Sequence, residues 1–209
     1  MAEEKQRIVL ATHNAGKVRE LAGPLAGFGV EVIGLEAFPL IEDIEETGTT
    51  FEENALIKAR AVAGITGLVS VADDSGLMVE ALDGRPGVYS ARYSDDWQSL
   101  SGESRDQRNI RKLLHELADV PESRRACCFV SCMAAVKPGG GEMVARGIWE
   151  GRLLAAPRGE NGFGYDPVFF DPLINKTAAQ LSREEKTARS HRGNALRALL
   201  ARWEAFMAG

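Results

Sequence analysis

Two short apolar runs, residues 8–11 and 68–72, place the strongest constraint on how this chain folds. Each run is too short for a helix and is bounded by turn residues or charges, so a short buried strand is predicted at residues 7–12 and a further strand at residues 68–72. Helical signals lie between them. One helix is expected from about Lys17, and a second begins at a capping box on Thr50 and continues to about Ala63. This alternation predicts a mixed α/β sheet with a ligand-binding cleft between its parts.

The second half of the chain has more strand-like patterning. Residues 126–136 and 142–149 are predicted strands, and the turn residues 138–141 between them predict a hairpin. The periodicity also predicts a strand at 30–35 and helices at about 103–118 and 187–206. The length of 209 residues suits one domain, or two lobes that share a core.

Composition narrows the classes of partner. The net charge of −5 argues against binding to nucleic acid or to an anionic membrane, but not against a phosphorylated small molecule. No segment reaches the length of a membrane span, and the polar residues 1–5 with a short apolar run do not resemble a signal peptide. The three cysteines lie within residues 127–132 without a second cluster of zinc ligands. Reduced, packed cysteines and a cytoplasmic location are therefore expected.

Residues 12–17, Thr-His-Asn-Ala-Gly-Lys, join a predicted strand to a predicted helix. Such a junction presents backbone N–H groups and the positive end of the helix dipole to an anion. Thr12 and Asn14 are candidate hydrogen-bond donors, and Lys17 is a candidate for a terminal phosphate. The segment is not a Walker A loop, since Val18 stands where Ser or Thr would hold magnesium. A simple strand–helix turn with a surface lysine is the alternative.

Two adjacent carboxylates, Asp73 and Asp74, follow the second apolar run. Ligand-binding groups usually lie at strand ends in α/β sheets, and buried carboxylates need a cation or hydrogen bonds. Because neighbouring strand residues face opposite sides, one aspartate should face the cleft and the other should support it. Residues 42–46 are a second source of carboxylates with which to share Mg²⁺. The alternatives are a turn at Asp73-Asp74 and a solvated acidic loop at 42–46.

Residues 162–167, Gly-Phe-Gly-Tyr-Asp-Pro, combine glycines, aromatic rings and a carboxylate. An aromatic ring can stack on a nucleobase, and glycine allows close approach. The alternative is an ordinary turn into a strand at 168–170. Farther on, Ser182 begins a second capping box, and a continuous helix would place Lys186 on one face with Ser190 and His191. For the His191-Arg192 pair, the alternative is a surface position.

Together these segments resemble the inosine triphosphate pyrophosphatase family, the non-standard purine nucleoside triphosphate pyrophosphatases. The resemblance is carried, in the family's order, by residues 11–17, 45–48 with 50–55, 72–76, 86–93, 162–167, and 184–186 with 190–192. It implies an elongated α/β fold, with a mixed central sheet and two lobes around a nucleotide-binding cleft. It also implies a single pyrophosphatase domain over residues 1–209 and a homodimer.

The resemblance further implies the activity and its residues. The reaction would be Mg²⁺-dependent hydrolysis of ITP, dITP and XTP to the monophosphate and pyrophosphate, which keeps these nucleotides out of nucleic acid. Asp74 would be the general base, Glu45 and Asp74 would lie near the metal, and Ser75 would touch substrate. The triphosphate would be held by Thr12, His13, Asn14, Ala15, Gly16 and Lys17. The purine would be held by Phe163, Gly164, Tyr165, Asp166, Lys186, His191 and Arg192.

Lys186 and Arg192 suit this base preference, because donor-only side chains match the O6 acceptor of hypoxanthine and xanthine rather than the amino group of adenine. One departure is Cys128, which replaces a basic residue common in the family at this position. Two other functions stay open: a pyrophosphatase for other altered nucleotides, including pyrimidines, and a nucleotide sensor without catalysis.

Overall fold

Within residues 6–208, which the structure (a computed structural model) describes, seven strands and six α-helices follow one another. The polar residues 1–5 lie outside the described residues. The strands are β1 (Arg7–Leu10), β2 (Glu31–Gly34), β3 (Val69–Val79), β4 (Ala126–Val136), β5 (Glu142–Leu153), β6 (Phe169–Asp171) and β7 (Lys176–Thr177). The helices are α1 (Ala15–Ala26), α2 (Phe51–Thr66), α3 (Arg105–Glu116), α4 (Arg183–Arg189), α5 (His191–Leu200) and α6 (Trp203–Ala208).

The strands form a sheet in the order β2-β1-β3-β4-β5-β6-β7. Strand β1 is parallel to both β2 and β3, whereas β6 is antiparallel to both β5 and β7. The mixed α/β sheet predicted from the sequence is therefore confirmed. The predicted hairpin is confirmed as well, since the N–H of Lys137 donates to the carbonyl of Gly141 at 2.8 Å between β4 and β5.

The chain divides into two compact units. Among the described residues, unit 1 comprises residues 6–74, 131–147 and 192–208, and unit 2 comprises residues 75–130 and 148–191. Strands β3, β4 and β5 contribute residues to both units. None of the helices in residues 6–208 is both long and apolar enough to cross a membrane.

Each unit has its own hydrophobic core. In unit 1, α1 packs its buried face against the apolar strands, with Leu21 and Leu25 almost fully enclosed. The same cluster includes Ile8, Leu10, Val71, Met133 and Leu199. In unit 2, the core contains the apolar face of α3 together with aromatic residues of the strands. Its members include Leu77, Ile110, Leu113, Phe129, Trp149, Tyr165 and Phe169.

Helix boundaries follow the caps. Helix α1 begins at Ala15 because Oδ1 of Asn14 accepts hydrogen bonds from the N–H groups of Gly16 and Lys17. The capping box predicted at Thr50 is present at the start of α2. That helix runs to Thr66, slightly beyond the predicted end, and stops where the next residue, a glycine, adopts the left-handed conformation at φ 65°.

Two predictions about the elements were wrong. Strand β3 does not end before Asp73 but continues through both aspartates to Val79, because their charges are compensated and Leu77 and Val79 are buried beyond them. The last helix is not continuous. Ser190 has extended backbone (φ −64°, ψ 157°) between α4 and α5, so Lys186 and His191 lie on different helices.

Candidate active site

The turn between β1 and α1 is exposed at its centre. His13, Asn14 and Ala15 are exposed, whereas Gly16 is buried. The N–H of Asn14 donates to Oγ1 of Thr12 at 3.1 Å, so the turn is held by its own side chains. The Asn14 cap already accepts from two N–H groups of the first helical turn. An anion at this helix end would therefore meet the remaining backbone and side-chain donors, or displace that cap.

The side chain of Lys17 contacts the next strand of the sheet. Its Nζ donates to the backbone carbonyl of Asp73 at 2.8 Å and lies 2.9 Å from Oδ2 of the same residue. Burial lowers the pKa of the Lys17 ammonium, and the charge of Asp73 offsets part of this effect. The alternative of a surface lysine is excluded by this geometry.

Asp73 is the buried centre of a charge network in unit 1. Its Oδ1 accepts from the hydroxyl of Ser131 at 2.5 Å, and its Oδ2 lies 3.1 Å from Nε of Arg192. Arg192 also pairs with Oε2 of Glu20 on α1, at 2.5 Å. Burial alone would favour the protonated carboxyl, but Lys17 and Arg192 hold the pKa of Asp73 well below its usual range. Asp73 is thus the supporting aspartate of the pair.

Arg192 was expected among the purine-binding residues. The structure instead places its guanidinium in unit 1, against Asp73 and Glu20, with little exposure to solvent. A buried arginine with two carboxylate partners is already charge-compensated. A contact between Arg192 and a purine would use guanidinium N–H groups other than those directed at Asp73 and Glu20.

Asp74 has a different environment from its neighbour. Its Oδ1 lies 3.4 Å from Nζ of Lys58 on α2, and its Oδ2 is buried without a hydrogen-bond partner in the structure. Lys58 also donates to Oε1 of Glu46 at 2.6 Å and to the carbonyl of Asp73 at 3.0 Å. Ser75, the next residue of β3, is half-buried. The Asp74 cluster is the name used below for Glu46, Lys58 and Asp74.

The electrostatics of this cluster favour proton transfer at Asp74. Burial raises the pKa of the Asp74 carboxyl, and Glu46 and Asp73 add to the effect, while Lys58 and Lys17 oppose it. The pKa of Lys58 is raised because its carboxylate neighbours outweigh the effect of burial. Asp74 is therefore a stronger base than a free aspartate, and Lys58 stays charged beside it.

The residues present fit a magnesium ion at one position. A buried carboxylate oxygen without a partner, Oδ2 of Asp74, is the type of atom that a hard cation compensates. Within residues 6–208 no group of three or more His, Cys, Asp or Glu side chains is arranged to hold a metal. Mg²⁺ commonly uses one or two carboxylates together with substrate phosphates, so a pair of carboxylates suffices. Glu45, the predicted second ligand, is exposed, whereas Glu46 is the glutamate in the Asp74 cluster.

Lys58 was not identified from the sequence as a site residue, and Glu46 was predicted only as part of the acidic segment 42–46. The signal for Lys58 is its position on α2, seven residues after the buried Phe51 and four after the buried Asn54. Helical periodicity assigns that position to the inner face, where an unpaired lysine is rarely found. A lysine there indicates a buried carboxylate partner.

In unit 2, Asp166 organises the loop that contains Phe163. Its Oδ2 accepts from the N–H of Phe163 at 2.9 Å and from Nζ of Lys186 at 2.6 Å. The same ammonium lies 4.9 Å from the centre of the Phe163 ring. Gly162 has φ 78°, and a side chain there would collide with the Asp166 carboxylate. The loop, the aromatic ring and Lys186 are therefore held together by one buried carboxylate.

Tyr165 has a role that the sequence did not reveal. Its ring is part of the unit 2 core, and its hydroxyl donates to the carbonyl of Ser90 at 2.9 Å. The ring is therefore packed in the protein rather than presented for stacking, and Phe163 is the half-buried aromatic of the loop. Gly164 is held through its N–H, which donates to Oδ2 of Asp106 at 2.7 Å. Asp106, in the first turn of α3, was not identified from the sequence.

His191 is buried at the start of α5. Its imidazole stacks on the ring of Phe129 with centroids 4.7 Å apart and an interplanar angle of 19°. Lys186 is buried as well, on the preceding helix. The interpretation of this region as an exposed, surface-type basic segment is therefore excluded.

Comparison with known proteins identifies the group to which this site belongs. The model of the Ham1 family matches residues 8–202. The chain belongs to the Ham1 family. The resemblance seen in the sequence motifs is confirmed, because a relative named dITP/XTP pyrophosphatase, from Nitratidesulfovibrio vulgaris, is 62% identical over 98% of this chain and 99% of its own length.

Solved structures of Ham1 proteins share the fold. A HAM1 protein from Coxiella burnetii matches with a TM-score of 0.84 and 40% identity, over 96% of this chain and 99% of its own. A structure from Mycobacterium abscessus, described as a nucleoside-triphosphatase / dITP/XTP pyrophosphatase, matches with a TM-score of 0.73 and 47% identity, over 93% and 99%. Each of these structures therefore matches more than nine tenths of this chain.

Proposed function

We propose that this chain hydrolyses noncanonical purine nucleoside triphosphates, namely dITP, ITP and XTP, to the monophosphate and pyrophosphate. The observation that carries the proposal is the state of Asp74, a buried carboxylate with a raised pKa. One of its oxygens lies near Lys58, and the other has no hydrogen-bond partner among residues 6–208. A binding module has no need for such a base beside two lysines. The names of its full-length relatives support the same substrate class.

Asp74 removes a proton from the water that attacks the α-phosphorus. A free aspartate has a pKa of about 3.9 and is a weak base toward water at neutral pH. Burial raises the pKa of Asp74 and so brings its basicity closer to that needed to accept a proton from water at neutral pH. Asp73 is a poor candidate for this role, because Lys17 and Arg192 lower the pKa of its carboxyl and so make it a weak base.

The two lysines compensate the charge of the polyphosphate. Lys58 stays cationic between Glu46 and Asp74, and Lys17 is held at β3 by Asp73. Because both ammonium groups are fixed by carboxylates and backbone carbonyls, little reorganisation is needed when negative charge gathers on the departing pyrophosphate. The turn at residues 12–17 supplies further donors to the phosphates through Thr12 and the start of α1.

We infer that magnesium is the cofactor, held by Asp74 with Glu45 or Glu46. When bound, Mg²⁺ would lower the pKa of the attacking water and offset phosphate charge. The support for this inference is the partnerless oxygen of Asp74 and the carboxylates on the adjacent acidic loop. Glu46 would have to share its carboxylate with Lys58.

Base selection is proposed to depend on unit 2. The ring of Phe163 would stack on the purine, and Lys186 would donate to O6, with its position fixed by Asp166. His191, for which the family resemblance implies a place in the purine pocket, would form a further hydrogen bond to the base. Adenine places an amino donor where hypoxanthine has O6. A buried donor left facing another donor costs about 1–3 kcal/mol, which favours ITP over ATP.

We further propose that the enzyme is a cytoplasmic homodimer that binds nucleotides and neither nucleic acid nor membranes. Support for the compartment comes from Cys127 and Cys132, whose thiols are buried in the protein. The net charge of −5 supports the absence of nucleic-acid binding. Light scattering after size-exclusion chromatography tests the dimer.

The function is tested by product analysis with Mg²⁺ and dITP, ITP, XTP, dATP, dGTP and dUTP as separate substrates. Pyrophosphate rather than orthophosphate is expected, fastest with the first three. In heavy-oxygen water, the label should enter the monophosphate, because attack at the α-phosphorus leaves the bridging oxygen on pyrophosphate. Label in pyrophosphate would overturn the mechanism, fastest turnover of dUTP would favour a pyrimidine substrate, and binding without turnover would indicate a sensor.

A further inference from the structure

An aromatic stack within unit 2 ends on the imidazole of His191. Trp149 and Phe169 have ring centroids 4.8 Å apart, Phe169 and Phe129 are 4.4 Å apart, and Phe129 and His191 are 4.7 Å apart. The last pair is the most nearly parallel, with an interplanar angle of 19°. The stack therefore presents one flat face to the imidazole.

This stack is held in place at its far end. The indole Nε1 of Trp149 donates to Oδ2 of Asp171 at 3.0 Å, and both residues are buried. Phe129 and Phe169 are also buried, at 6% and 0% exposure. In a close-packed interior, such rings cannot tilt without opening a void. The plane of Phe129 is consequently fixed by its neighbours.

We propose that Phe129 is a positioning residue that sets the plane of the His191 imidazole for recognition of the purine. The inference rests on the proposed function and deepens it, since it assigns a determinant of base binding outside the loop and the lysine. The ring nitrogens of an imidazole donate and accept in the ring plane. The face of Phe129 therefore determines the plane in which His191 forms hydrogen bonds.

The position of His191 in the chain explains the need for such support. It is the first residue of α5 and directly follows Ser190, whose backbone is extended. A side chain at a helix start is not packed by a preceding helical turn. Stacking on an aromatic face replaces that missing constraint, and offset or tilted aromatic pairs add stabilisation beyond their buried area.

A matched pair of variants separates positioning from general packing. Phe129→Leu and Phe169→Leu remove the same atoms from the same core cluster, but only Phe129 contacts the imidazole in the stack. Phe129→Leu should raise KM for ITP by about 10-fold, the effect of one misaligned hydrogen bond, and leave kcat largely unchanged. Phe169→Leu, which loosens the packing behind Phe129 but leaves the ring that contacts the imidazole, should lose comparable stability in urea and raise KM much less.

NMR of the histidine ring protons gives a second readout. The chain has three histidines, so the His191 signals are assigned by comparison with His191→Gln. In the wild type, stacking on Phe129 should shift these signals upfield. Phe129→Leu should abolish that shift, whereas Phe169→Leu should retain it. Equal changes in both variants, or a wild-type KM for Phe129→Leu, would overturn the proposal.

Addition of ITP to the wild type separates failure of this inference from failure of the proposed function. If ITP leaves the His191 signals unchanged, the assignment of His191 to the purine site fails, and positioning fails with it. If ITP shifts those signals but Phe129→Leu binds and turns over ITP as the wild type does, only the role of Phe129 is wrong.

Discussion

The ammonium of Lys58 lies 3.4 Å from Oδ1 of Asp74, whose other carboxylate oxygen is buried without a partner. This pair joins the second helix of unit 1 to the strand that carries both aspartates. Of the charges that lower the pKa of Asp74, against the effect of burial, Lys58 has the largest effect. The lysine therefore has two functions, as a cation for the phosphates and as a control on the basicity of Asp74.

Replacement of this lysine should affect both functions. Lys58→Met is expected to reduce kcat by about 100-fold, as for loss of one preorganised charge at a reacting centre. The pKa of Asp74 should rise further, so the acid limb of the profile of kcat/KM against pH should move to higher pH. The matched control is Arg60→Gln on the same helix, which removes an exposed pair with Glu142 and should leave both quantities unchanged. If the acid limb does not move in Lys58→Met, the charge of Lys58 does not control the pKa of Asp74.

Asp74 should reduce stability while it supports catalysis. The pKa of Asp74 is higher in the folded protein than in the unfolded chain. Above the folded pKa, the ionised carboxylate therefore lowers the free energy of unfolding. This destabilisation disappears as pH falls below the unfolded pKa of about 3.9. Asp74→Asn should therefore lose most turnover and be more stable than the wild type at pH 8, with the difference shrinking toward about pH 4. Urea unfolding at both pH values measures this. A variant less stable than the wild type at pH 8 would show that the pKa of Asp74 is not raised.

Much of the fold was predictable because local signals agreed with it. The capping boxes at Thr50 and Ser182 are present, and strand β4 has its predicted bounds. The extent of β3 was not predictable, because adjacent aspartates normally interrupt a strand and become tolerable only through distant partners such as Lys17 and Arg192.

The site shows the same division between local and long-range information. Motif resemblance gave the segments, and the structure groups Lys17 with Asp73 in unit 1 and Lys186 with Asp166 in unit 2. The motif resemblance did not identify the partner of each charged side chain, because ion pairs between residues far apart in sequence leave no periodic signal. Arg192 is the clearest instance, since its contact with Glu20 joins residues from opposite ends of the chain.

The buried network around Asp73 should be a major source of stability in unit 1. Asp73→Asn leaves the buried cations Lys17 and Arg192 without their shared carboxylate and should cost about 3–5 kcal/mol of unfolding free energy at pH 7. The depressed pKa of Asp73 means that its contribution is present above about pH 4 and lost as pH falls toward the folded value. The difference in unfolding free energy between the wild type and Asp73→Asn should therefore become smaller at acidic pH.

The control for this measurement is an exposed ion pair in the same unit. Glu142→Gln removes the partner of Arg60 and should change unfolding free energy by no more than about 1 kcal/mol. Equal, small losses in Asp73→Asn and Glu142→Gln would show that the buried network contributes specificity of structure rather than stability.

The two aromatic residues of the loop in unit 2 should differ in their effect on substrate binding. Phe163 is half-buried beside Lys186, whereas the ring of Tyr165 belongs to the core and its hydroxyl bonds to Ser90. Stacking on a base contributes about 1–3 kcal/mol, so Phe163→Leu should raise KM for ITP by about 5- to 150-fold with little change in kcat. Tyr165→Phe should lose about 1 kcal/mol of stability through its missing hydrogen bond and keep the wild-type KM. The reverse pattern, with KM raised in Tyr165→Phe alone, would contradict the assignment of base stacking to Phe163.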